Sequence, residues 1–351
     1  MNITFILPGS GRSGGIKSTV RAANGLLQRG YEVRLLVNKS YGGLRTQLRK
    51  LWLKVYYPHS SDWINLFEGT VERFCDIEQC AFEDREIVIA TGYWAAEQLR
   101  RVKLPGIVKV HNIRGIDFEN IEQMSAAWGE NVPKIAVGSY LEKVIQEACG
   151  QKLVAVIPNG IDTKEYYPSV PGNLRNGIGT IYGMGYHKDP KTILSVLKKL
   201  RQGCPETPQR IFSAHRRPRE IPRGIYYRLP SLGKTREIYS RSLVWIMASR
   251  SEGLPNPVFE AMACGCAVVA TDCGGPRDII VDGENGFLVE VGNVEQIVDR
   301  VKLLLDDSKL RQRFVEKSRE TVSKFSWDNS VGKLEEVLIK LAGNRCDNGE
   351  K

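Results

Sequence analysis

The sequence predicts an α/β protein made of two doubly wound parallel-sheet domains, and three observations lead to this fold class. A chain of 351 residues is long enough for two hydrophobic cores. Apolar runs of strand length alternate with segments of helix length, which is typical of parallel sheets covered by helices on both faces. A stretch rich in proline, glycine and asparagine at 167–179 separates two such series. We therefore expect a first domain over 1–165, rejoined by a last helix over 327–345, and a second domain over 166–326.

The first series begins with an apolar run over residues 2–8 that contains β-branched residues and predicts a strand. A glycine-rich turn follows, and helical periodicity from Ile16 to Arg29 ends at Gly30. Further strands are predicted at 31–37, 85–90, 106–110, 134–138 and 152–157. The alternation is interrupted at 158–162, where the link between the domains begins.

The second series begins with a predicted strand at 179–183 and a predicted helix over 191–202. Five more strands are predicted at 210–214, 224–228, 242–247, 267–271 and 286–291. Helices follow from Asn293 onward, and the last begins near Trp327. Ligands of open α/β sheets bind beyond the carboxyl ends of the strands, so we expect the active site in a cleft between the two domains.

Composition excludes several classes of protein. A hydrophobic fraction of 42% and a charged fraction of 26% exclude a disordered chain and a polytopic membrane protein. The sequence contains no apolar run long enough to span a membrane and no secretion signal, which predicts a cytoplasmic protein. The eight cysteines form no CxxC pair, so we expect reduced thiols and no zinc site.

A net charge of +10 favours a polyanionic partner, and two basic segments indicate which kind. Residues 44–55 place leucines at helical spacing among four cations, which fits either a helix on an anionic membrane or an ordinary core-facing helix. Residues 210–228 contain six arginines but too few suitable aromatic residues to indicate a nucleic-acid surface. We therefore expect no nucleic-acid partner.

The glycine-rich turn after the first strand matches GxGxxG over residues 9–14. A nicotinamide enzyme is disfavoured because the second strand ends at Val37 and Asn38 without the acidic residue that binds the ribose. A P-loop is disfavoured because Ile16 occupies the place of the second glycine. Gly14 and Gly15 can still present backbone N–H groups to an anion at a helix N-terminus, or they can serve only as small residues in a tight turn.

The segment from Ser249 to Gly265 contains two glutamates separated by seven residues, Glu252 and Glu260. Pro257 suits the first position of a helix that has Asn256 as its cap, so we expect the helix to start at 257 with Glu260 in its first turn. The two carboxylates can accept hydrogen bonds from sugar hydroxyls while the helix N–H groups face a phosphate. The alternative is that Glu260 only complements the helix dipole and Glu252 is solvated.

Several of these segments together resemble the retaining glycosyltransferases of family 4, which have the GT-B fold. The resemblance lies in Glu252 to Gly265, in the segment that follows to Gly275, and in Asp282 to Val289. It extends to the Gly14-Gly15 turn, to residues 157–162 and to the Phe325-Ser326-Trp327 segment. Residues 40–85 match no part of it.

The resemblance implies a nucleoside-diphosphate sugar bound mainly by the second domain, without a metal or other cofactor. Glu260 would accept hydrogen bonds from the ribose. Glu252 would contact the donor sugar, with the amides of Gly253 and Leu254 close by. The backbone of Leu229, in an Arg-Leu-Pro segment, would hold the base.

In the first domain the resemblance gives roles to the Gly14-Gly15 turn and to His111. The backbone of Gly15, next to Gly14, would approach the phosphates. His111, at the end of the strand over 106–110, would face the donor sugar; the alternative is a histidine that is simply satisfied within the fold.

The chain departs from the family at one position, because Met184 occupies the place of an arginine that usually neutralises the diphosphate. Lys188, the second cation of that pair, is retained. Arg216 follows a predicted strand that ends toward the same edge, and its planar fork suits two phosphate oxygens. We therefore expect Lys188 and Arg216 to form the diphosphate clamp, the alternative being that Arg216 is one solvated member of a basic surface.

The resemblance implies a metal-independent, retaining transferase that moves a hexose from a nucleotide donor, with UDP-glucose the first expectation. The expected acceptor is a glycan or lipid-linked glycan of the bacterial envelope or an exopolysaccharide, with the protein in peripheral contact with the membrane. A sugar-nucleotide epimerase with the GT-B fold is one alternative. A noncatalytic sugar-nucleotide binder is the other, because of Met184.

Overall fold

The computed structural model describes residues 1–39, 62–116 and 121–343. The chain divides into two compact units, Met1–Gly160 with Trp327–Lys351 and Ile161–Ser326. The second unit begins at Ile161 rather than at residue 166, because Ile161 donates its backbone N–H to the Phe325 carbonyl at 2.8 Å and pairs with Ser326. The predicted membrane helix at 44–55 lies outside the described residues.

The first unit is built on a parallel sheet, which has seven strands in the described residues. The strands are β1 (Asn2–Leu7), β2 (Glu32–Asn38), β3 (Thr70–Phe74), β4 (Ile87–Thr91), β5 (Val108–Ile113), β6 (Lys134–Ala136) and β7 (Ala155–Val156). Their spatial order is β3-β2-β1-β4-β5-β6-β7. The helices before the second unit are α1 (Gly14–Gln28), α2 (Tyr93–Arg101), α3 (Ile121–Gly129) and α4 (Tyr140–Cys149).

The second unit has a parallel sheet of six strands in the order β10-β9-β8-β11-β12-β13. The strands are β8 (Ile178–Ile181), β9 (Gln209–Ser213), β10 (Tyr226–Arg228), β11 (Val244–Met247), β12 (Ala267–Thr271) and β13 (Phe287–Val289). Its helices are α5 (Pro190–Gly203), α6 (Leu232–Arg241), α7 (Asn256–Ala263), α8 (Val294–Asp306) and α9 (Ser308–Ser323). The predicted fold class of two doubly wound α/β units is confirmed.

The last helix, α10 (Trp327–Gly343), packs in the core of the first unit beside α1. Val331 and Leu334 of α10 are buried with Val20 of α1 on one face of the sheet. Gly25 makes this approach possible, because a Cβ there would lie 2.5 Å from Cγ2 of Val331. A separate set of buried residues around α2 covers the opposite face.

Strand β3 is missing from the sequence-based prediction, because its residues do not form an apolar run. The strand pairs with β2 at the edge of the sheet, and only Phe74 of its five residues is buried. No described helix is long and apolar enough to cross a membrane. The cysteines within the described ranges are free thiols.

Candidate functional site

Glu252 lies in the loop that follows β11, where two side chains hold its carboxylate. Oε1 accepts a hydrogen bond from Nζ of Lys188 at 2.5 Å and another from Oγ of Ser249 at 2.6 Å. The Glu252 side chain is 12% exposed. The structure therefore brings together two of the predicted catalytic residues, and the alternative of a freely solvated Glu252 is wrong.

Lys188 reaches Glu252 because the strands that precede them are neighbours in the sheet. Strand β8 pairs with β11, and the chain leaves β8 to form a short 3₁₀ turn over Tyr186–Lys188. The carbonyl of His187 in this turn accepts the backbone N–H of Arg250 at 2.8 Å. The stem of Lys188 packs so close to Gly183 that a Cβ there would lie 2.6 Å from the lysine Cγ. The two loops are thus joined through backbone and side chains.

A second ion pair joins the same two loops and is missing from the sequence-based site. Nη2 of Arg250 lies 2.9 Å from Oδ2 of the buried Asp189, and the guanidinium stacks over the ring of Tyr186. Asp189 also caps α5, because its carboxylate accepts the backbone N–H and the hydroxyl of Thr192. An aspartate directly before a proline is a helix-start signal that could have identified Asp189. The sequence holds no comparable signal for Arg250.

Glu260 lies in α7, but not where the sequence predicts it. The helix begins at Asn256 with Pro255 as its cap residue, so Asn256 is not the cap and Glu260 lies beyond the first turn. The interpretation of Glu260 as a first-turn partner of the helix dipole is therefore wrong.

The carboxylate of Glu260 is buried and held by a phenol. The hydroxyl of Tyr239 donates to Oε2 of Glu260 at 2.9 Å. Burial, together with the nearby glutamate charge, raises the pKa of Tyr239 well above its usual value, so the phenol remains a donor at neutral pH. The geometry fixes one carboxylate oxygen and thereby orients the group.

Gly253 and Leu254 continue the loop from Glu252, and both are buried. Their backbone is held by Gly275, whose N–H donates to the Glu252 carbonyl at 3.0 Å. A Cβ on Gly275 would lie 2.2 Å from the Gly253 carbonyl oxygen and 2.8 Å from the Glu252 carbonyl oxygen. Only glycine fits this close approach without a shift of backbone.

We expect Gly275→Ala to lower the free energy of unfolding by about 1 to 3 kcal/mol, because the added methyl forces the Glu252 loop away. Urea unfolding measures the change. Gly233→Ala is the matched control, since a Cβ at Gly233 of α6 meets no atom within 4 Å. Equal stability of Gly275→Ala and the parent would contradict the packing argument.

Leu229 follows β10 in a left-handed backbone conformation, with φ of 49°. This region is unfavourable for a residue with a bulky side chain, so the surrounding structure must hold it. The Leu229 N–H donates to the carbonyl of Ser213 at 2.7 Å, and its side chain is buried. The predicted base-binding segment is thus a strained, fixed backbone at the carboxyl end of the sheet.

Arg216 is exposed in the loop that follows β9, and Met184 is 60% exposed after β8. The two strands are neighbours, so both residues lie at the carboxyl edge of this sheet. The structure records no contact between Arg216 and Lys188. The clamp formed by these two residues stays a prediction.

Gly14 and Gly15 form the start of α1 in the first unit. Oγ of Ser13 caps the helix by accepting the backbone N–H of Ile16 at 3.2 Å, and the first turn contains no acidic residue. A Cβ on Gly15 would meet no atom within 4 Å. The fold itself therefore does not require glycine at position 15, and the space beside it is open.

His111 lies inside β5, not after it, because the strand runs from Val108 to Ile113 instead of ending at residue 110. The ring is buried, and neither nitrogen makes a hydrogen bond of ordinary geometry. Burial and, to a lesser extent, the charge of Lys134 on the neighbouring strand together lower the pKa of His111 to about 4, against a smaller opposing effect of the Gly92 backbone. His111 is therefore neutral at physiological pH and is not satisfied by the fold.

The structure thus divides the predicted residues between the units. Lys188, Glu252 and Glu260 are fixed by hydrogen bonds within the second unit, which also holds Gly253, Leu254, Leu229 and Arg216. Gly14, Gly15 and His111 lie in the first unit. Within the described ranges, no group of three or more histidine, cysteine, aspartate or glutamate side chains could hold a metal ion.

Solved structures identify the fold. The chain is similar to Anabaena Alr3699/HepE in complex with UDP-glucose, with a TM-score of 0.74, 15% identity, and coverage of 97% of this chain and 100% of that chain. It is similar to sucrose-phosphate synthase from Thermosynechococcus elongatus, with a TM-score of 0.73, 14% identity, and coverage of 98% and 100%. The chain therefore has the GT-B fold, with two parallel-sheet Rossmann-like domains.

Sequence comparisons show which protein family the second unit resembles. Residues 228–321 match the family model of Glycosyl transferases group 1, and this segment contains Leu229, Glu252 and Glu260. Alpha-maltose-1-phosphate synthase of Mycolicibacterium smegmatis is 27% identical over 226 residues, which are 54% of this chain and 57% of that protein. The lipopolysaccharide core biosynthesis glycosyltransferase LpsE of Rhizobium meliloti is 37% identical over 93 residues, 26% of this chain and 27% of that protein. The chain thus spans between about a quarter and just over half of these relatives.

Proposed function

We propose that this chain is a group 1 glycosyltransferase that retains configuration, requires no metal and moves a hexose from a UDP-linked donor. The observation that carries the proposal is the fixed pair of Lys188 and Glu252, followed along the chain by the buried Glu260 of α7. Both glutamates lie within the segment that matches the glycosyl transferase family model. The arrangement supplies a cation for a diphosphate and two oriented carboxylates for hydroxyl groups.

The proposed chemistry depends on the charge that develops on the leaving diphosphate. Lys188 is held at 2.5 Å from Glu252, so its ammonium is positioned before a ligand arrives. A preorganised cation stabilises a transition state more than a mobile one, because little reorganisation is needed during reaction. Glu252 would bind donor-sugar hydroxyls beside the amides of Gly253 and Leu254, and Glu260 would bind the ribose. The roles implied for Gly14, Gly15, His111, Leu229 and Arg216 belong to the same proposal.

UDP-glucose is the proposed donor, and the acceptor is a glycan or lipid-linked glycan. HepE, which has the same fold, has been solved in complex with UDP-glucose, and GtfA in complex with UDP and GlcNAc. LpsE is named for lipopolysaccharide core biosynthesis, which supports an envelope polysaccharide as the product. Peripheral contact with an anionic membrane through residues 44–55 and a cytoplasmic location complete the proposal.

We expect UDP to raise the thermal unfolding midpoint of the full chain more than GDP or dTDP does. A ligand that binds only the folded state stabilises it by about 2.7 kcal/mol at 100 times its Kd. The measurement is a thermal-shift titration with the three nucleotides and UDP-glucose, with and without EDTA. No stabilisation by any of them would contradict the proposal, and loss of the UDP effect in EDTA would contradict the metal-independent mechanism.

Met184 supports a second candidate, a noncatalytic sugar-nucleotide binder. Its exposed thioether stands where the resemblance implies an arginine, and a thioether cannot neutralise a phosphate. Hydrolysis of UDP-glucose to UDP and glucose by the purified chain separates the two candidates. Turnover supports the transferase, whereas tight UDP binding without hydrolysis or transfer to any glycan supports the binder.

A further inference from the structure

Residues 214–225 connect the parallel strands β9 and β10 without an α-helix. Two parallel neighbouring strands are usually joined through a helix, but this connection contains only a short 3₁₀ turn, Arg223–Ile225. Four of its residues are arginines: Arg216, Arg217, Arg219 and Arg223. The chain therefore concentrates positive charge on a coil that leads into the edge strand of the sheet.

Contacts with the rest of the second unit hold the β9–β10 connection in place. Ile221, near its middle, is fully buried in the core that it shares with α5. Nη2 of Arg201 on α5 donates to the carbonyl of Glu220 at 3.2 Å. Within the connection, Nη1 of Arg217 donates to the carbonyls of Pro218 and Ile221. The backbone is thus fixed by the fold, and a ligand does not have to order it.

Three arginine side chains of the connection are exposed: Arg216, Arg219 and Arg223. Within the described ranges, none of the three has a hydrogen bond or an ion pair. Glu220, the one acidic residue of the connection, is exposed as well, and its charge acts on Tyr182, whose pKa is raised by burial and by Glu220. The three guanidinium groups are therefore available to a partner of opposite charge.

The connection spreads these cations along the sheet. It begins at the carboxyl end of β9 and finishes at the amino end of β10, so it crosses from one edge of the sheet to the other. Arg216 lies near the carboxyl edge, where Lys188 and Glu252 also follow their strands. Arg223 lies just before β10 at the opposite edge. Cations distributed in this way fit an extended polyanion better than one small anion.

Two kinds of polyanion fit this surface poorly. None of the large apolar side chains exposed in the described ranges lies in the connection, whereas a membrane-surface segment buries such side chains in lipid. Nucleic-acid bases stack on free aromatic rings, but both tyrosines of β10 are engaged. The hydroxyl of Tyr226 donates to the His215 carbonyl at 2.9 Å, and Nζ of Lys234 lies over the Tyr227 ring. An acidic polysaccharide needs neither feature, because its carboxylate, sulfate or phosphate groups recur along the chain and fit the guanidinium fork.

We propose that the β9–β10 connection binds an acidic glycan through Arg219 and Arg223. The inference rests on the proposed function, because the glycan is the acceptor or the growing product of the transferase. The two arginines hold charged units of this glycan outside the donor site and take no part in the reaction itself. Their loss therefore affects affinity for the glycan and leaves donor binding unchanged.

Isothermal titration of the full chain with polygalacturonate oligosaccharides tests the proposal, with neutral dextran as the comparison ligand. Physiological ionic strength is used, because salt screens the general attraction of a chain with a net charge of +10. The double variant Arg219→Gln/Arg223→Gln removes two charges, and we expect it to bind polygalacturonate about 10-fold more weakly than the parent. Its affinity for UDP stays at the parent value.

Lys309→Gln/Arg319→Gln is the matched control, because both residues are exposed on α9 of the same unit and the net charge falls by the same amount. We expect this control to bind polygalacturonate as the parent does. Arg219→Lys/Arg223→Lys keeps both charges and should retain most of the affinity. A loss in the lysine variant as large as that in the glutamine variant would contradict the role of charge.

Equal affinity of the Arg219→Gln/Arg223→Gln variant and the control variant for polygalacturonate overturns the proposal. Phosphatidylglycerol vesicles and single-stranded DNA are tested in parallel, and a loss confined to either of them overturns the glycan in favour of that partner. A parent chain that binds UDP but not polygalacturonate overturns the glycan surface and leaves the proposed function intact. A parent chain that shows the expected glycan pattern but does not bind UDP supports the surface and contradicts the proposed function.

Discussion

Lys188→Ala is expected to lower turnover by about 100-fold, with a smaller change in donor KM. In the proposed mechanism the ammonium held against Glu252 would stabilise the charge that grows on the leaving diphosphate, so its loss would act mainly in the transition state. Steady-state rates of UDP release from UDP-glucose measure the effect. Circular dichroism checks that the variant folds, because removal of the lysine leaves the Glu252 carboxylate with Ser249 as its remaining recorded side-chain partner.

Lys191→Ala is the matched control, since Lys191 is exposed on α5 three positions away and should retain full turnover. Arg216→Ala tests the second half of the proposed clamp and is expected to lower turnover by a similar factor of about 100. If Lys188→Ala had the turnover of the parent, the proposal that Lys188 stabilises charge on the leaving diphosphate would be wrong. Unchanged turnover and UDP affinity of Arg216→Ala alone would leave Lys188, the Gly15 amide and the start of α7 to stabilise the diphosphate.

Glu260→Ala is expected to weaken UDP binding by about 10- to 100-fold, equivalent to about 1.5 to 3 kcal/mol, because the variant would lose the charge-assisted bond to the ribose that we propose for Glu260. Isothermal titration with UDP measures the change. The alanine also leaves the buried Tyr239 hydroxyl without its acceptor, which lowers stability independently of the ligand.

Tyr239→Phe separates these two effects, because it removes the hydrogen bond and leaves the carboxylate. We expect this variant to retain most of the UDP affinity. Equal UDP affinity of Glu260→Ala and the parent would show that the ribose assignment is wrong. A loss of the same size in Tyr239→Phe would mean that orientation of the carboxylate, rather than its presence, limits binding.

Much of the fold follows from apolar periodicity, and the exceptions have physical causes. Strand β12 lies at the predicted residues 267–271, because a continuous apolar run is buried on both faces. Strand β3 escapes prediction because an edge strand needs few apolar residues. Strand β5 extends to Ile113 through His111 and Asn112, whose polar side chains end the apolar run before the hydrogen bonds of the sheet end.

The site was less predictable than the fold, because its geometry depends on tertiary contacts. The spacing of Glu252 and Glu260 singles out both residues, but their partners are distant in sequence: Lys188 is 64 positions from Glu252, and Tyr239 is 21 positions from Glu260.

The meeting of the two ends of the second unit has a practical consequence. Residues 161–326 form one continuous stretch, and the backbone N–H of Ile161 bonds to the carbonyl of Phe325. The second unit can therefore be exchanged as one continuous segment, because its two ends are hydrogen-bonded neighbours. Replacing it with the matching stretch of a relative would transplant the Glu252 and Glu260 positions without cutting the core shared by α1 and α10. Because we propose that the second unit binds the donor, chimeras joined at residues 160/161 and 326/327 are expected to change donor preference while the first unit stays unchanged.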